Sequence, residues 1–349
     1  MAKASLVVPV YNVESYVVEC LKSAMDQSER DIEIIVINDG STDTSLELVE
    51  SLALEDDRVR VFSQENAGLS AARNAGIRQA TAPVVMFLDS DDRLEPNAVE
   101  RVLQEFALHN NDIVTFGAYC FPEEGATQWV KDCLSPEYDY LTDDSIWMLY
   151  RWDARPFVWR SAFSRSFLLE NDLWFNSHLP YGEDQLFYFE AYPLSKSTSL
   201  IPDKLYDYRV GRTGSLMSNA SQELADKIGC HIIIAQAILE AWNRRGWLGS
   251  RDSAFMFEWV LEFLYPDIFM LKGNTRSKLI VSSLEALEPY VTVIPLEEME
   301  LGSRQLLSAL QADPTMGNLK AQAVIWRYYR HRKGLVHCAK RLLGRYKDF

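Results

Sequence analysis

The sequence predicts an α/β fold: a mainly parallel sheet flanked by helices, with a mostly helical C-terminal region attached. Two observations carry that prediction. Over the first third, short apolar runs alternate with stretches of helical periodicity; beyond about residue 218 the strand-like runs give way to long helical stripes.

The apolar runs stand at residues 5–10, 32–37, 59–62, 84–88 and 113–116, each bounded by turn residues and each of strand length. Between them, Tyr16, Val17, Cys20, Leu21 and Ala24 share one helical face, and Val99, Val102, Leu103 and Phe106 share another. Pro96 is placed to open the second of these helices. Such alternation builds a parallel sheet with helices on both faces, and ligands of such sheets sit at the carboxyl ends of the strands. Residues 118–217 are irregular and aromatic-rich, the pattern of loops and short elements over a substrate site. Trp159, Phe163, Trp174 and Phe175 in this stretch are expected mainly in the core. From 218 on, Ile228, Ile232, Ala235, Ile238 and Leu239 form one apolar stripe and residues 255–271 another. The chain is accordingly divided into 1–217 and 218–349.

Length fits one or two domains. With 48% hydrophobic and 24% charged residues, the chain has apolar material enough for a core, which excludes disorder. The formal net charge of -15 argues against general nucleic-acid binding. Cys20, Cys120, Cys133, Cys230 and Cys338 are odd in number and lack metal-type spacing, as expected of reduced cytosolic thiols. No signal peptide and no run of about 18 apolar residues is seen, so a cytoplasmic protein without a membrane span is expected.

Polar residues gather at four strand ends. The first run ends in Pro9-Val10-Tyr11-Asn12 and the second in Asn38-Asp39-Gly40-Ser41-Thr42-Asp43. The third leads into Asn66-Ala67-Gly68-Leu69-Ser70-Ala71-Ala72-Arg73-Asn74-Ala75-Gly76, and the fourth into Asp89-Ser90-Asp91-Asp92. In a parallel sheet all four emerge on one edge. Helix capping, for instance by Ser41 or Thr42, explains one such cluster but not four. Two carboxylates one residue apart, Asp89 and Asp91, can face a shared hard cation that also meets phosphate oxygens; oxygen ligands favour Mg²⁺ or Mn²⁺.

In chain order, these motifs resemble the nucleotide-binding half of family 2 glycosyltransferases. Gly182-Glu183-Asp184-Gln185-Leu186-Phe187 is similar to that family's E-D motif. Tyr208-Arg209 and Gly214-Ser215-Leu216 are similar to a loop that closes on the diphosphate. The resemblance covers about residues 1–217. It implies a Rossmann-like GT-A fold and an inverting hexosyl- or N-acetylhexosaminyltransferase of envelope-polysaccharide type. A UDP-sugar would be the donor, a glycan or lipid-linked glycan the acceptor, and Mn²⁺ or Mg²⁺ the cofactor. The implied nucleotide-binding residues are Pro9, Tyr11, Asp39, Arg73, Asp89, Ser90, Arg209 and Ser215. Among them Tyr11 and Asp39 would hold the uracil, Arg73 would lie near the nucleotide, and Asp89 would meet the ribose side. Arg209 and Ser215 would offset the charge of the departing UDP. Asp91, with Asp89, is the implied metal pair, Asp184 the general base, and Glu183 a substrate contact.

Each assignment has a plainer alternative: Arg73 as a surface helix arginine, and Glu183-Asp184 as acids favoured at a helix N-terminus. The chain departs from the family pattern where Ala67-Gly68 replaces two glycines, and no histidine is placed as a third metal ligand, His178 included. A nucleotidyltransferase would need a Gly-rich loop with a basic residue near the first strand, which Tyr11-Asn12-Val13-Glu14 lacks. A non-catalytic nucleotide-sugar-binding scaffold would have no need of both Asp91 and Asp184.

The last thirty residues differ in charge. Residues 320–349 carry nine Lys or Arg against Asp348, so a chain of net -15 has a tail of +8 and leaves -23 on residues 1–319. Leu335, Val336, Ala339, Leu342, Leu343 and Tyr346 fall on one helical face, opposite His337, Lys340, Arg341, Arg345 and Lys347. Such a segment suits an anionic membrane surface, with Trp326, Tyr328, Tyr329 and Tyr346 at headgroup depth. The expected location is peripheral, on the inner face of the cell membrane. The alternative is a helix docked on acidic protein.

Overall fold

The structure is a computed structural model that describes residues 1–179, 181–211 and 224–342, with side chains through residue 332. It divides into two compact units, Met1–Thr213 and Gly214–Phe349.

The first unit opens with β1 (Ala4–Val10), α1 (Val17–Met25), β2 (Ile32–Asn38), α2 (Ser45–Ala53), β3 (Val59–Ser63), α3 (Leu69–Gln79) and β4 (Val84–Phe87). β1 and β2 are buried at every position, as strands covered on both faces must be. The order β3-β2-β1-β4 is parallel throughout, with Val7 opposite Ile35 on one side and Phe87 on the other. Their carboxyl ends therefore share one edge, as the sequence predicts. α3 lies directly against β1, because a Cβ on Gly76 would stand 2.1 Å from Cγ1 of Val7. That glycine sets how closely the helix approaches the sheet.

Then follow β5 (Arg93–Leu94), α4 (Ala98–His109), β6 (Ile113–Phe121), α5 (Gln128–Cys133), β7 (Asp139–Thr142), β8 (Ser161–Ser164), α6 (Arg165–Glu170), α7 (Glu183–Leu194) and β9 (Ser197–Arg209). β8 enters antiparallel between β4 and β6. β9 runs parallel to β6, and β5 and β7 pair antiparallel with β9. β1, β2, β3, β4, β6 and β9 thus share a direction that β5, β7 and β8 oppose.

The expectation of an irregular stretch over 118–217 is corrected by three of these strands, β9 with 13 residues. β9 is hard to read because it buries hydroxyls where a periodic strand would bury methyls. Thr198 bonds Ser195 at 2.8 Å and Ser199 bonds Asn111 at 3.2 Å, so polar residues are satisfied inside the sheet. Helix starts also differ. α2 begins at Ser45, and its first N–H groups go to Glu14 (from Thr44, 3.0 Å) and Asp43 (from Ser45, 3.0 Å), not to Ser41 or Thr42. Pro96 stands before the Asn97 cap of α4, outside the helix. Trp159, Phe163 and Phe175 are buried, Trp174 half-buried.

The second unit holds α8 (Leu224–Arg244), α9 (Arg251–Ile268), α10 (Gly273–Val291), α11 (Leu301–Ala312) and α12 (Asn318–Leu342). The predicted stripe Ile228, Ile232, Ala235, Ile238 and Leu239 is buried along α8. Within α12, Tyr328 and Tyr329 are also buried, which corrects their placement at headgroup depth. The cause lies beside them: Arg332 reaches Glu258 at 3.1 Å, Glu262 at 3.0 Å and Glu300 at 3.2 Å, drawing this turn onto α9. Trp326 remains exposed. The amphipathic segment of residues 335–346 lies outside the described side chains. Among the described residues, no helix is long and apolar enough to cross a membrane, and Cys20, Cys120, Cys133 and Cys230 are free.

Candidate active site

The strand ends of β1, β2, β3 and β4 are tied to one another by polar side chains. After β1, the Asn12 side chain accepts a bond from the Thr42 N–H at 2.8 Å, and the Val13 N–H donates to Ser45 Oγ at 2.8 Å. These bonds lock the first two loops together and leave Tyr11 48% exposed, a ring open for packing. Pro9 is buried within β1. Asp39 is buried and accepts from Gln64 Nε2 (2.7 Å), Ala67 N–H (2.9 Å) and Gly68 N–H (2.8 Å). Its carboxylate thereby shapes the turn that enters α3. The Ala67-Gly68 departure leaves this cradle intact, since only backbone N–H groups are used.

Arg73 is not a surface arginine: it is 1% exposed. Its Nη2 donates to Asp89 Oδ1 at 2.9 Å, and its Nη1 to Glu183 Oε1 at 3.0 Å and Asp184 Oδ1 at 3.1 Å. The guanidinium also lies over the Phe175 ring at 5.4 Å, and that ring stacks on Phe187 of α7 at 4.2 Å. Gly182, at φ 77°, turns the chain into α7 so that Glu183 and Asp184 are its first two residues. The plainer reading of the E-D pair holds, since the acids start a helix, where the dipole favours them, and both also pair with the buried Arg73 cation. The Val158 N–H donates to Asp184 Oδ2 at 3.0 Å, fixing the second oxygen.

Asp92 was not singled out in the sequence, and it organises the other side of this turn. It is 2% exposed, accepting from Tyr206 Oη at 2.9 Å and from the Arg209 N–H at 2.6 Å. Tyr206 Oη in turn accepts from the Asp89 N–H at 3.0 Å. Arg209 donates to the Asp91 carbonyl at 2.8 Å and pairs with Glu19 at 2.6 Å, with its guanidinium over Tyr16 and Phe121. β9 thus clasps the turn of residues 89–92. The only sequence signal for Asp92 was a third acid beside the D-x-D pair.

Burial sets the electrostatics. It pushes the Asp184 carboxyl up to about 7, against the opposing pull of Arg73. Burial also raises Asp89, with Arg73 again opposing, and raises Asp92 well above the usual carboxylate range, with Asp91 and Asp89 adding to it. Burial disfavours the Arg73 charge, but Asp89, Asp184 and Glu183 outweigh it and hold the guanidinium above its ordinary value.

The donor set fits a hard cation in part. Ser90 is buried, while Asp91 is half-buried at the rim. The carboxylates of residues 89, 91, 92, 183 and 184 outnumber Arg73 and Arg209, and the buried Cys20 thiol also reaches the Asp89 carbonyl at 3.6 Å. Among the described residues no three of His, Cys, Asp or Glu gather into a metal-holding group, and His178 is exposed. A cation at Asp91 and Asp89 would draw its other oxygens from phosphate and water, a common habit of Mg²⁺. Ser215 lies outside the described residues.

The family model described as Glycosyl transferase family 2 matches residues 5–167. Glycosyltransferase GlyG of Streptococcus pneumoniae serotype 4 is 31% identical over 221 residues, 61% of this chain and 72% of that protein. The chain belongs to glycosyl transferase family 2. "Putative glycosyltransferase EpsH" of Bacillus subtilis (strain 168) is 36% identical over 208 residues, 59% of this chain, and the chain spans 60% of that protein's length. The crystal structure of S. aureus TarS 1–349 in complex with UDP-GlcNAc matches with a TM-score of 0.70 and 23% identity, over 95% of this chain and 92% of that one. That likeness extends through the helical C-terminal unit and shows the fold to be GT-A.

Proposed function

We propose that this chain is an inverting glycosyltransferase that moves a sugar from a UDP-sugar to a hydroxyl of a glycan or lipid-linked glycan, with Mn²⁺ or Mg²⁺ bound at Asp91 and Asp89. Residues 1–217 form its catalytic domain and 218–349 its helical extension. The observation that carries the reading is the buried guanidinium of Arg73, which joins Asp89 of the D-x-D turn to Glu183 and Asp184 of the E-D pair. One cation thereby fixes the distance between the donor end and the acceptor end of a site. Complexes with UDP-GlcNAc in the TarS structure support a UDP-sugar donor.

In the proposed reaction the acceptor oxygen attacks the anomeric carbon opposite UDP, the bond to the diphosphate oxygen breaks, and UDP leaves with the electron pair. Asp184 takes the acceptor proton as the oxygen attacks, through an oxocarbenium-like transition state. Glu183 orients a substrate hydroxyl, and Tyr11 and Asp39 hold the uracil. A bound divalent ion would neutralise charge on the diphosphate. Arg209, already held beside Asp91, and Ser215 add positive and hydrogen-bonding partners for the leaving group. Calorimetric titration of UDP tests the donor half. Binding is expected in Mn²⁺ or Mg²⁺, with strong weakening in EDTA or by Asp91→Ala; equal affinity in all three cases removes the metal assignment.

A peripheral membrane location rests on the tail. Since Arg332, Tyr328 and Tyr329 are engaged within the second unit, the contact is assigned to Trp326 and the basic residues beyond 332, Lys333, Lys340, Arg341, Arg345 and Lys347. Each cation near an anionic surface contributes about 1 kcal/mol. Deleting residues 333–349 is expected to abolish co-sedimentation with vesicles containing acidic lipid, which salt also weakens. Equal pelleting of both proteins points instead to a protein-docking helix.

A further inference from the structure

Beside Asp184 stands a feature that the proposed chemistry leaves unused. Phe157 has a φ of 72°, a region that glycine enters freely and bulky L-residues avoid. This conformation precedes the Val158 N–H that fixes Asp184 Oδ2 at 3.0 Å. A glycine at 157 would deliver that hydrogen bond with less strain, so the backbone does not explain the ring. The ring stacks on Trp159 (centroids 5.3 Å, 19°) and leans on Tyr208 (5.5 Å, 32°). Trp159 in turn lies on Tyr206 at 4.2 Å and on Tyr208 at 5.1 Å. Trp159 and Tyr206 are buried, whereas Phe157 and Tyr208 are only half-buried. Packing against Trp159 accounts for the inner part of the stack and leaves its rim unexplained, one residue from the backbone donor that holds the proposed base.

We propose that Phe157, with Tyr208 beside it, is the platform on which the acceptor's sugar ring stacks so that its hydroxyl meets Asp184. The inference rests on the glycosyltransferase reading and narrows its acceptor: the residue that receives the sugar is a ring. A pyranose offers a flat C–H face to an aromatic ring, which a linear polyol does not.

The test uses the full-length protein with UDP and Mn²⁺ present, titrated with the methyl pyranosides of glucose, galactose and N-acetylglucosamine and, separately, with ribitol. At least one pyranoside should bind, and F157G should weaken it by about five- to tenfold, the scale of one aromatic stacking contact. F157W should restore binding, while UDP affinity and the thermal midpoint stay at wild-type values. Three results overturn the proposal: pyranoside affinity indifferent to F157G, UDP affinity lost in parallel, or a wild type that binds UDP and ribitol but no pyranoside. Failure of the glycosyltransferase reading is distinct, because the wild type would then bind no UDP.

Discussion

Asp184→Asn is expected to cut sugar transfer by about 10²- to 10⁴-fold, the usual range for removing a general base, while UDP affinity stays near wild type. The substitution is nearly isosteric: its one oxygen can still accept the Val158 N–H, while the NH2 then faces Arg73 Nη1 without a bond, and Nη1 keeps its partner in Glu183. What it removes is the proton acceptor. Parallel calorimetry with UDP and initial rates of UDP release separate the two effects. Turnover like that of the wild type moves the base elsewhere, with Glu183 next, since it shares Nη1 of Arg73.

Arg73→Met is expected to have the largest effect on stability. It leaves Asp89, Glu183 and Asp184 around a vacated cation site that was buried to 2% side-chain exposure. Removing one partner of a buried ion pair costs about 3–5 kcal/mol. The loss has a pH sign. Without the guanidinium the Asp89 and Asp184 carboxyls lose the pull that opposes their burial and ionise at higher pH than before, so the folded form favours their protonated states and the damage grows from pH 6 to pH 8. Urea midpoints of both proteins at the two pH values check this; equal midpoints would mean that Arg73 is not the keystone its geometry indicates.

Legibility in the sequence followed physical locality. β1 and β2 are unbroken apolar runs because helices cover both faces, and turn residues mark their ends, so the parallel half and its ligand edge could be read directly. The pairing of the D-x-D turn with the E-D pair could not. Arg73 is 16 residues from Asp89 and 110 from Glu183, and no periodicity reports a partner at such separations. Asp92 was hidden by its neighbours: three acids in four residues look like one cluster, yet Asp92 turns inward to Tyr206 and Arg209 while Asp91 stays at the rim. β9 escaped because its buried face uses Thr198 and Ser199, whose hydroxyls need partners that only the folded sheet supplies. In the tail, charge patterning identified a basic segment correctly but not how much of it is used internally by Glu258, Glu262 and Glu300.

In the proposed reaction Asp184, raised by burial and held by Arg73, receives the acceptor proton. The pH dependence of kcat/KM, which reports groups of the free enzyme, tests it most directly when measured for wild type and Asp184→Asn with one UDP-sugar and acceptor. Because a base acts only when ionised, the wild-type value should rise with pH through about 7 and then level off, and the residual rate of Asp184→Asn should lack that limb. A wild-type profile that is flat from pH 5 to 9, or an identical limb in both proteins, would mean that Asp184 is not the base.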